Sequence, residues 1–321
     1  MKKTLFLLFG VTWDLAQRKI LPALFMMRES WKYDFETLWV WRREFDNNDM
    51  HNYLIDKSQY IGDKASYEKF IKTMKYFKVE LSEFEHYQNL LEYIKSQKDF
   101  DEVVLYLSIS PDFFEDVLKN LKKSNLNWYI DKIVFEKPFG YDLKSAKILN
   151  DMVLDVFEED KVYRIDHYLG KEPVQNILNF RFSNVFFENI WNNQYIDHIQ
   201  IVASEKVSVL DRWPYYDWYW ALKDMLQNHL IQMLAQVVIP KSQDLNFENI
   251  RNEKSKAIKK LRLFDGDVSN LVFGQYDWYL SEKWVKENSN TDTFVAAKLE
   301  IDTPEMKWVP IYVKTWKALN D

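Results

Sequence analysis

The sequence predicts an α/β domain with a parallel sheet, followed by an incomplete α+β domain whose sheet is mostly antiparallel. In the first half, short apolar runs alternate with longer amphipathic stretches, which is the rhythm of βαβ units. After about Arg164, strand-like segments follow one another with few helices between them. A chain of 321 residues is long enough for two domains that each bury a core. We therefore expect domains at 1–164 and 165–321.

The elements of the first domain are predicted from buried apolar runs and from apolar residues at helical spacing. The predicted strands are Leu5–Phe9, Thr37–Val40, Val103–Ser108 and Lys132–Phe135. The predicted helices are Leu15–Arg28, Asp112–Lys123 and Leu143–Phe157. The polar and aromatic segment from Asn47 to Lys98 is interpreted as helical. Because strands alternate with helices, the sheet should be parallel.

Fewer elements are predicted in the second domain. The predicted strands are Ile196–Ser204, Phe294–Ile301 and Val309–Val313, and the predicted helix is Tyr219–Ile239. The two final strands have no helix between them, which favours an antiparallel arrangement.

Composition excludes several classes of protein. An apolar fraction of 47% and a charged fraction of 29% are ordinary for a globular enzyme. No window approaches the roughly 18 consecutive apolar residues of a membrane span, so we expect no membrane partner. A net charge of −6 argues against nucleic-acid binding, which usually shows a basic face. The absence of cysteine excludes disulfides and thiolate metal sites, and it fits a cytoplasmic location.

A candidate nucleotide-binding turn follows the first strand. The segment Phe9–Ala16 leads from a strand into a helix, where a dinucleotide pyrophosphate would meet the helix N-terminus. The glycine fingerprint of such turns needs small residues, and Trp13 stands where one is expected. Taken by itself, the segment is therefore better interpreted as an ordinary strand–turn–helix.

Three further segments carry candidate functional side chains. Lys137 follows a strand in the run EKPFG, although a lysine beside such a turn is commonly just exposed. If Asp166 begins a helix, His167 and Lys171 share one face and could hold a phosphate, the alternative being a charged helix start. His229 lies in a mostly apolar helix, where a lone histidine is often a hydrogen-bonded core residue. The histidines show no metal-ligand spacing, so no metal is predicted.

Together these segments resemble the glucose-6-phosphate dehydrogenase family in their order and approximate spacing. The run RIDHYLGKE followed by VQNILNFRFSN matches the active-site signature of that family. The runs EKPFG, RWPYYD, KDMLQNHLIQML and VPIYVKTWKALN extend the resemblance over nearly the whole chain. The resemblance implies a Rossmann-like NADP-binding domain, a substrate domain, and a homodimer or homotetramer. It implies oxidation of D-glucose 6-phosphate to 6-phosphoglucono-lactone with hydride transfer to NADP, the first step of the pentose phosphate pathway.

The resemblance also implies roles for individual residues. His229 would be the general base that takes the proton from the C1 hydroxyl, and Asp166 would stabilise the resulting cation. The residues that would hold the sugar or its phosphate are His167, Tyr168, Lys171, Lys137, Glu205, Asp224 and Lys317. Those that would contact the cofactor are Gly10, Thr12, Trp13, Asp14, Leu15, Arg42 and Lys137. Arg42 would meet the 2′-phosphate of NADP, whereas an acidic residue there would suit NAD.

The sequence departs from the family in two ways. Family members continue well beyond VPIYVKTWKALN, whereas this chain ends at Asp321, so an open sheet edge is expected in the second domain. Tryptophan also stands where the family has glycine. The clear positions are Trp13, Trp39, Trp41, Trp220, Trp308 and Trp316, and Trp31, Trp278 and Trp284 match less closely.

The tryptophans are interpreted as a decoding artefact, in which UGA codons for glycine were read as tryptophan. The chain has 6 glycines and 13 tryptophans, whereas glycine usually makes up about 7% of a protein. The alternative is a decayed, non-catalytic homologue that acts as a binding or interaction module. With its tryptophans, the chain is expected to be inactive as a dehydrogenase, because Trp13, Trp39 and Trp41 would obstruct the cofactor. UGA codons at these positions would support the interpretation, and UGG codons would exclude it.

Overall fold

The computed structural model describes residues 2–10, 16–58, 60–97, 99–209, 213–241, 246–283 and 285–319. The chain divides into two compact units, Met1–Ile165 and Asp166–Asp321. Each unit has its own sheet and its own core. Within the described ranges, no helix is both long enough and apolar enough to cross a membrane.

The first unit is built on a six-stranded parallel sheet with the strand order β3-β2-β1-β4-β5-β6. Its strands are β1 (Lys3–Phe9), β2 (Asp34–Trp41), β3 (Lys75–Lys78), β4 (Glu102–Leu107), β5 (Lys132–Phe135) and β6 (Val162–Arg164). Successive strands are added on one side of β1 as far as β3, and on its other side from β4 onwards. This order confirms the predicted Rossmann-like domain, and it creates a crevice at the carboxyl ends of β1 and β4.

Helices cover both faces of this sheet. They are α1 (Leu21–Glu29), α2 (Asn47–Lys57), α3 (Lys64–Lys72), α4 (Phe84–Ser96), α5 (Phe114–Lys123) and α6 (Leu143–Leu154). Along β1, Leu5 and Leu7 join the core that α4 and α5 cover, whereas Leu8 joins the core beneath α1, α2 and α3. Successive side chains of a strand point to opposite faces, so a strand buried on both faces is apolar throughout.

The sequence predictions for the first unit are confirmed for the long elements and fail for the short ones. The four predicted strands correspond to β1, β2, β4 and β5, and the predicted helices correspond to α1, α5 and α6. A π-helical segment, Ala16–Ile20, leads into α1. The segment 47–98, interpreted from the sequence as helical, contains α2, α3 and α4, but it also contains the unpredicted strand β3. Both β3 and the unpredicted β6 are edge strands of three or four residues, too short to show a clear alternation.

The second unit contains a five-stranded mixed sheet. Its strands are β7 (Ile199–Glu205), β8 (Leu261–Leu263), β9 (Leu271–Gly274), β10 (Phe294–Ile301) and β11 (Ile311–Lys317). Strand β10 pairs antiparallel with β8, β9 and β11, while β11 pairs parallel with β7. The prediction of a mostly antiparallel sheet is therefore confirmed, although the short strands β8 and β9 are not among the predicted elements.

One face of this sheet is covered by helices. The helices of this unit are α7 (Glu172–Phe182), α8 (Val185–Ile190), α9 (Trp213–Ala221), α10 (Ile231–Val238) and α11 (Phe247–Lys259). A π-helical segment, Leu222–Leu230, joins α9 to α10, so the helix predicted over 219–239 is not one regular α-helix. Leu226 and Leu234 pack with Ile199 and Ile201 in the core. Segments of π-helix are rare in proteins, and those that occur are often found at functional sites.

Two exposed tryptophans occupy turns that normally contain glycine. Trp31 follows α1 with a φ of 55°, and its backbone N–H donates to the carbonyl of Arg28 at 3.2 Å. This left-handed residue after a helix is usually glycine. Trp308 has a φ of 74° in a turn closed by the Val309 N–H, which donates to the Met306 carbonyl at 3.1 Å. The third residue of such a turn requires a positive φ, which L-residues with a Cβ adopt at a cost.

The other tryptophans at family glycine positions divide into several groups. Trp220 also has a positive φ, of 35°. Trp39 and Trp41 lie in β2, and their buried indole N–H groups have no hydrogen-bond partner within the described residues. Trp278 has a φ of −98° and Trp316 lies in β11, so the backbone does not demand glycine at either position. Two of these positions lie outside the described residues: Trp13 and Trp284.

Candidate active site

The candidate site is centred on a hydrogen bond between Asp166 and His229. Asp166 precedes a 3₁₀ turn, His167–Gly170, and its Oδ1 accepts a hydrogen bond from the backbone N–H of Tyr168 at 2.9 Å. The same oxygen lies 2.6 Å from Nδ1 of His229. His229 belongs to the π-helical segment and is 1% exposed. The pairing predicted from the sequence is therefore present.

The charge state of Asp166 determines the tautomer of His229. Burial acts to raise the pKa of Asp166, but the hydrogen bond and charge of His229 and the Tyr168 N–H outweigh it, and the pKa is lowered. An ionised carboxylate only accepts hydrogen bonds, so Nδ1 of His229 must be the donor. In the neutral ring the lone pair then resides on Nε2, which is the atom able to take a proton.

Aromatic contacts fix the plane of the His229 ring. The Tyr168 ring stacks on it with centroids 4.3 Å apart and an interplanar angle of 16°. His167 packs edge-on at 4.6 Å, and Nζ of Lys171 lies 3.3 Å from the centroid of the Tyr168 ring. The helix start predicted here is instead a 3₁₀ turn, and α7 begins after Lys171. The turn nevertheless brings His167, Tyr168 and Lys171 together around His229.

A second group of predicted residues lies nearby. Glu205 ends β7, and Lys317 ends β11 as its register partner, so the two side chains form an ion pair. Asp224 is buried in the π-helical segment. Burial first, and then the charges of Glu205, Asp224 and Asp166, raise the pKa of Tyr168. These carboxylates are therefore within electrostatic range of the Tyr168 ring, which keeps its phenol protonated.

Two residues of this cluster are absent from the sequence predictions. Tyr216 lies on α9, and its ring centroid is 5.1 Å from Nζ of Lys317. Lys254 lies on α11, donates to Oε1 of Gln232 at 3.2 Å, and interacts electrostatically with Asp166. Tyr216 belongs to the run RWPYYD, but a tyrosine there is equally a core residue. Lys254 is one of several lysines in a charged helix, and sequence spacing does not reveal which of them faces a site.

Within the part of the chain that the structure describes, one group of side chains is close enough to share a metal ion. It consists of Asp166, His167 and His229, whose nearest ligand atoms lie within 4.8 Å of one another. The hydrogen bond between Asp166 and His229 and the edge-on packing of the two imidazoles account for this closeness. The closeness of the three side chains therefore needs no metal ion to explain it.

Three of the predicted cofactor residues lie at the carboxyl edge of the first sheet. Gly10 follows β1 with a φ of 87°, and a Cβ there would lie 2.0 Å from the carbonyl oxygen of Ser108. Glycine is thus required where β1 and β4 end side by side, at the crevice that receives dinucleotides in such sheets. Arg42 follows β2 and Lys137 follows β5 at the same edge. The other predicted cofactor residues lie outside the described part of the chain: Thr12, Trp13, Asp14 and Leu15.

A Rossmann-like sheet, followed by a unit with a hydrogen-bonded His–Asp pair among lysines, is typical of a dehydrogenase that uses a nicotinamide dinucleotide. Two family profiles match the chain. "Glucose-6-phosphate dehydrogenase, NAD binding domain" matches residues 7–176, and "Glucose-6-phosphate dehydrogenase, C-terminal domain" matches residues 178–321. The chain belongs to the glucose-6-phosphate dehydrogenase family.

Individual relatives agree with the family profiles. The glucose-6-phosphate 1-dehydrogenase of Borreliella burgdorferi is 38% identical over 97% of this chain and 68% of its own length. That of Bacillus subtilis is 36% identical over 99% of this chain and 69% of its own length. Among solved structures, a glucose-6-phosphate dehydrogenase in complex with its substrate glucose-6-phosphate has a TM-score of 0.91 and 31% identity. That match covers 100% of this chain and 70% of the solved chain.

Proposed function

We propose that this protein, with glycine at positions 13, 39 and 41, oxidises D-glucose 6-phosphate to 6-phosphoglucono-lactone with hydride transfer to NADP, the first step of the pentose phosphate pathway. The observation that carries the proposal is the 2.6 Å hydrogen bond between Asp166 and the buried His229. It supports catalysis over a non-catalytic binding module, because binding alone does not require an oriented base. The similarity to glucose-6-phosphate 1-dehydrogenases, and to a solved complex with glucose-6-phosphate, supports the same substrate.

His229 acts as the general base in this proposal. Its Nδ1 donates to Asp166, so Nε2 takes the proton from the C1 hydroxyl as the C1–H bond is broken. The positive charge that then develops on the ring lies beside the Asp166 carboxylate, which stabilises it. The bound nicotinamide supplies the acceptor for the hydride from C1. The stacked Tyr168 ring keeps the imidazole plane fixed while the proton moves.

The remaining side chains hold the substrate. Lys171 and His167 supply positive charge for the phosphate, and the protonated Tyr168 phenol supplies a further hydrogen-bond donor. The ion pair of Glu205 with Lys317 offers an acceptor and a donor to sugar hydroxyls. Asp224 and Lys137 complete the proposed set of hydroxyl contacts. Holding C1 in one orientation lowers the barrier, because proton and hydride must leave in fixed directions.

Arg42 supports NADP as the specific cofactor. It follows β2, the strand whose carboxyl end carries the ribose-recognising residue of such domains. An arginine can pair with a 2′-phosphate through two parallel N–H donors, and it cannot accept a hydrogen bond from a free 2′-hydroxyl. We also propose a cytoplasmic location, which suits a chain without cysteine.

Substrate binding is tested first, by calorimetry with glucose 6-phosphate and with glucose on the unaltered chain. Asp166, His229 and Lys171 all belong to the second unit, so this measurement does not require the nucleotide turn. We expect binding of the phosphorylated sugar and much weaker binding of glucose. Turnover is followed by the absorbance of the reduced nicotinamide in a variant with Trp13→Gly, Trp39→Gly and Trp41→Gly. Equal affinity for the two sugars, or no reduction of NADP by that variant, would contradict the proposal.

A further inference from the structure

A partly buried lysine lies beside the His–Asp pair, and the proposed mechanism gives it no role. Lys254 projects from α11, and its Nζ donates to Oε1 of Gln232 at 3.2 Å. Gln232 is three residues after His229 on the same continuous helical run, so the two side chains lie on one side of that run. The ammonium group is therefore held by a residue that lies about one helical turn from the base.

The surroundings of Lys254 set it apart from the other lysines of its helix. Burial lowers the pKa of its amine, and the negative charge of Asp166 acts in the opposite direction. The attraction of the Asp166 carboxylate favours the charged form of the amine. By contrast, Lys256 on the same helix is mostly exposed and pairs with Glu253 at 2.6 Å. Burying part of a lysine beside a carboxylate carries a desolvation cost, which the charge of that carboxylate offsets.

We infer that Lys254 is a positioning residue. Its ammonium group, which Gln232 holds near His229, acts through its charge on the Asp166–His229 pair and limits how strongly that pair attracts a proton. The inference rests on the proposed role of His229 as a base. A base next to a carboxylate whose negative charge no cation offsets would be protonated too readily. It would then already carry a proton at neutral pH and could not accept one from the substrate. A fixed cation beside the carboxylate reduces that effect. Lys254 would thereby set the pH at which the site works.

Other charged and titratable groups surround the same pair and stay the same when Lys254 alone is altered. They are His167, Tyr168, Lys171, Asp224, Glu205 and Lys317. A change in the titration of His229 on altering Lys254 is therefore attributable to the charge of that lysine, provided that the fold is intact.

The test is an NMR titration of histidine-labelled protein, with the His229 signal assigned from the His229→Asn variant. Lys254→Met removes the charge and keeps most of the side-chain stem, whereas Lys254→Arg keeps the charge. Lys256→Met is the matched control, because it removes an equivalent charge from the same helix. We expect Lys254→Met to raise the pKa of His229 by about 0.5–1 unit, and the other two variants to leave it nearly unchanged. Equal shifts in Lys254→Met and Lys256→Met would overturn the inference.

Two further measurements keep the outcome clear. Lys254→Met should retain its affinity for glucose 6-phosphate, and a loss as large as that in Lys171→Ala would make Lys254 a substrate ligand and overturn the inference. Should Lys254→Met not fold, Gln232→Met releases the ammonium without removing its charge, and a smaller rise in the pKa of His229 is expected. No shift in that variant would also overturn it. The titration needs no turnover, so it decides the role of Lys254 even if the proposed function fails.

Discussion

Replacing Trp31 with glycine should stabilise the first unit, although it deletes a large side chain. Trp31 is 85% exposed, so its removal sacrifices little buried apolar area. Its φ of 55° places the backbone in the left-handed region, which costs about 1–2 kcal/mol for an L-residue with a Cβ. Glycine gains extra freedom in the unfolded chain, which offsets about 0.5–1 kcal/mol of that gain. The net expectation for Trp31→Gly is an increase of about 0.5–1 kcal/mol in the free energy of unfolding.

Trp128→Gly is the matched control. Trp128 is 76% exposed and belongs to the same unit, but it lies in a 3₁₀ turn, Leu126–Tyr129, with helical backbone angles. Glycine there relieves no left-handed strain, so only the unfolded-state effect remains, and we expect a loss of about 0.5–1 kcal/mol. The difference between the two variants therefore measures the strain itself, about 1–2 kcal/mol.

The assay is urea unfolding followed by far-UV circular dichroism, with the slope of the transition compared between variants. If the urea midpoints of the two variants shift in opposite directions at equal slope, the backbone conformation at position 31 favours glycine. Equal losses of stability in Trp31→Gly and Trp128→Gly would refute the reasoning. The codon at position 31 is an independent check, since UGA is expected there if the tryptophan is a decoding artefact.

Three other predictions concern the site and the first sheet. Lys171→Ala should weaken glucose 6-phosphate binding at least about tenfold, because a charged hydrogen bond is worth about 1.5–3 kcal/mol, and calorimetry showing unchanged affinity would exclude it as a phosphate ligand. The lowered pKa of Asp166 means that its carboxylate stabilises the fold above the unfolded pKa of about 3.9, and this stability disappears as pH falls through the folded value. Asp166→Asn should therefore lower the free energy of unfolding at about pH 7 more than at about pH 3, and an equal loss at both would disprove the linkage. Trp13→Gly, Trp39→Gly and Trp41→Gly together should restore NADP binding in calorimetry at matched concentration and salt, and equal binding by the unaltered chain would show that no obstruction exists.

The sequence predicts an element correctly where its hydrophobic pattern extends over many residues. The central strands β1 and β4 are buried on both faces, and their continuous apolar runs identify them without ambiguity. The short strands β3, β6, β8 and β9 are stabilised by pairing with longer neighbours, and that pairing leaves no pattern in three or four residues. Tertiary contacts determine these elements, so sequence periodicity does not find them.

The site is predicted in part for a similar reason. His229 and Asp166 are 63 positions apart in the chain, and only the resemblance to a family joins them before the structure is considered. Lys254 contributes through the packing of α11 against α10, which brings it to Gln232. Its position depends on how two helices meet, and composition does not encode that directly. The strained backbone at Trp31 and Trp308 is likewise visible only in the dihedral angles.

The central claim is that His229 is the base of a glucose-6-phosphate dehydrogenase site. The most direct measurement is the steady-state kinetics of His229→Asn in the variant with glycine at positions 13, 39 and 41. A base acts in the transition state, so kcat should fall about 10²- to 10⁴-fold while KM for glucose 6-phosphate changes only a few-fold. A kcat within about tenfold of the parent, or a loss that appears only in KM, would contradict the account.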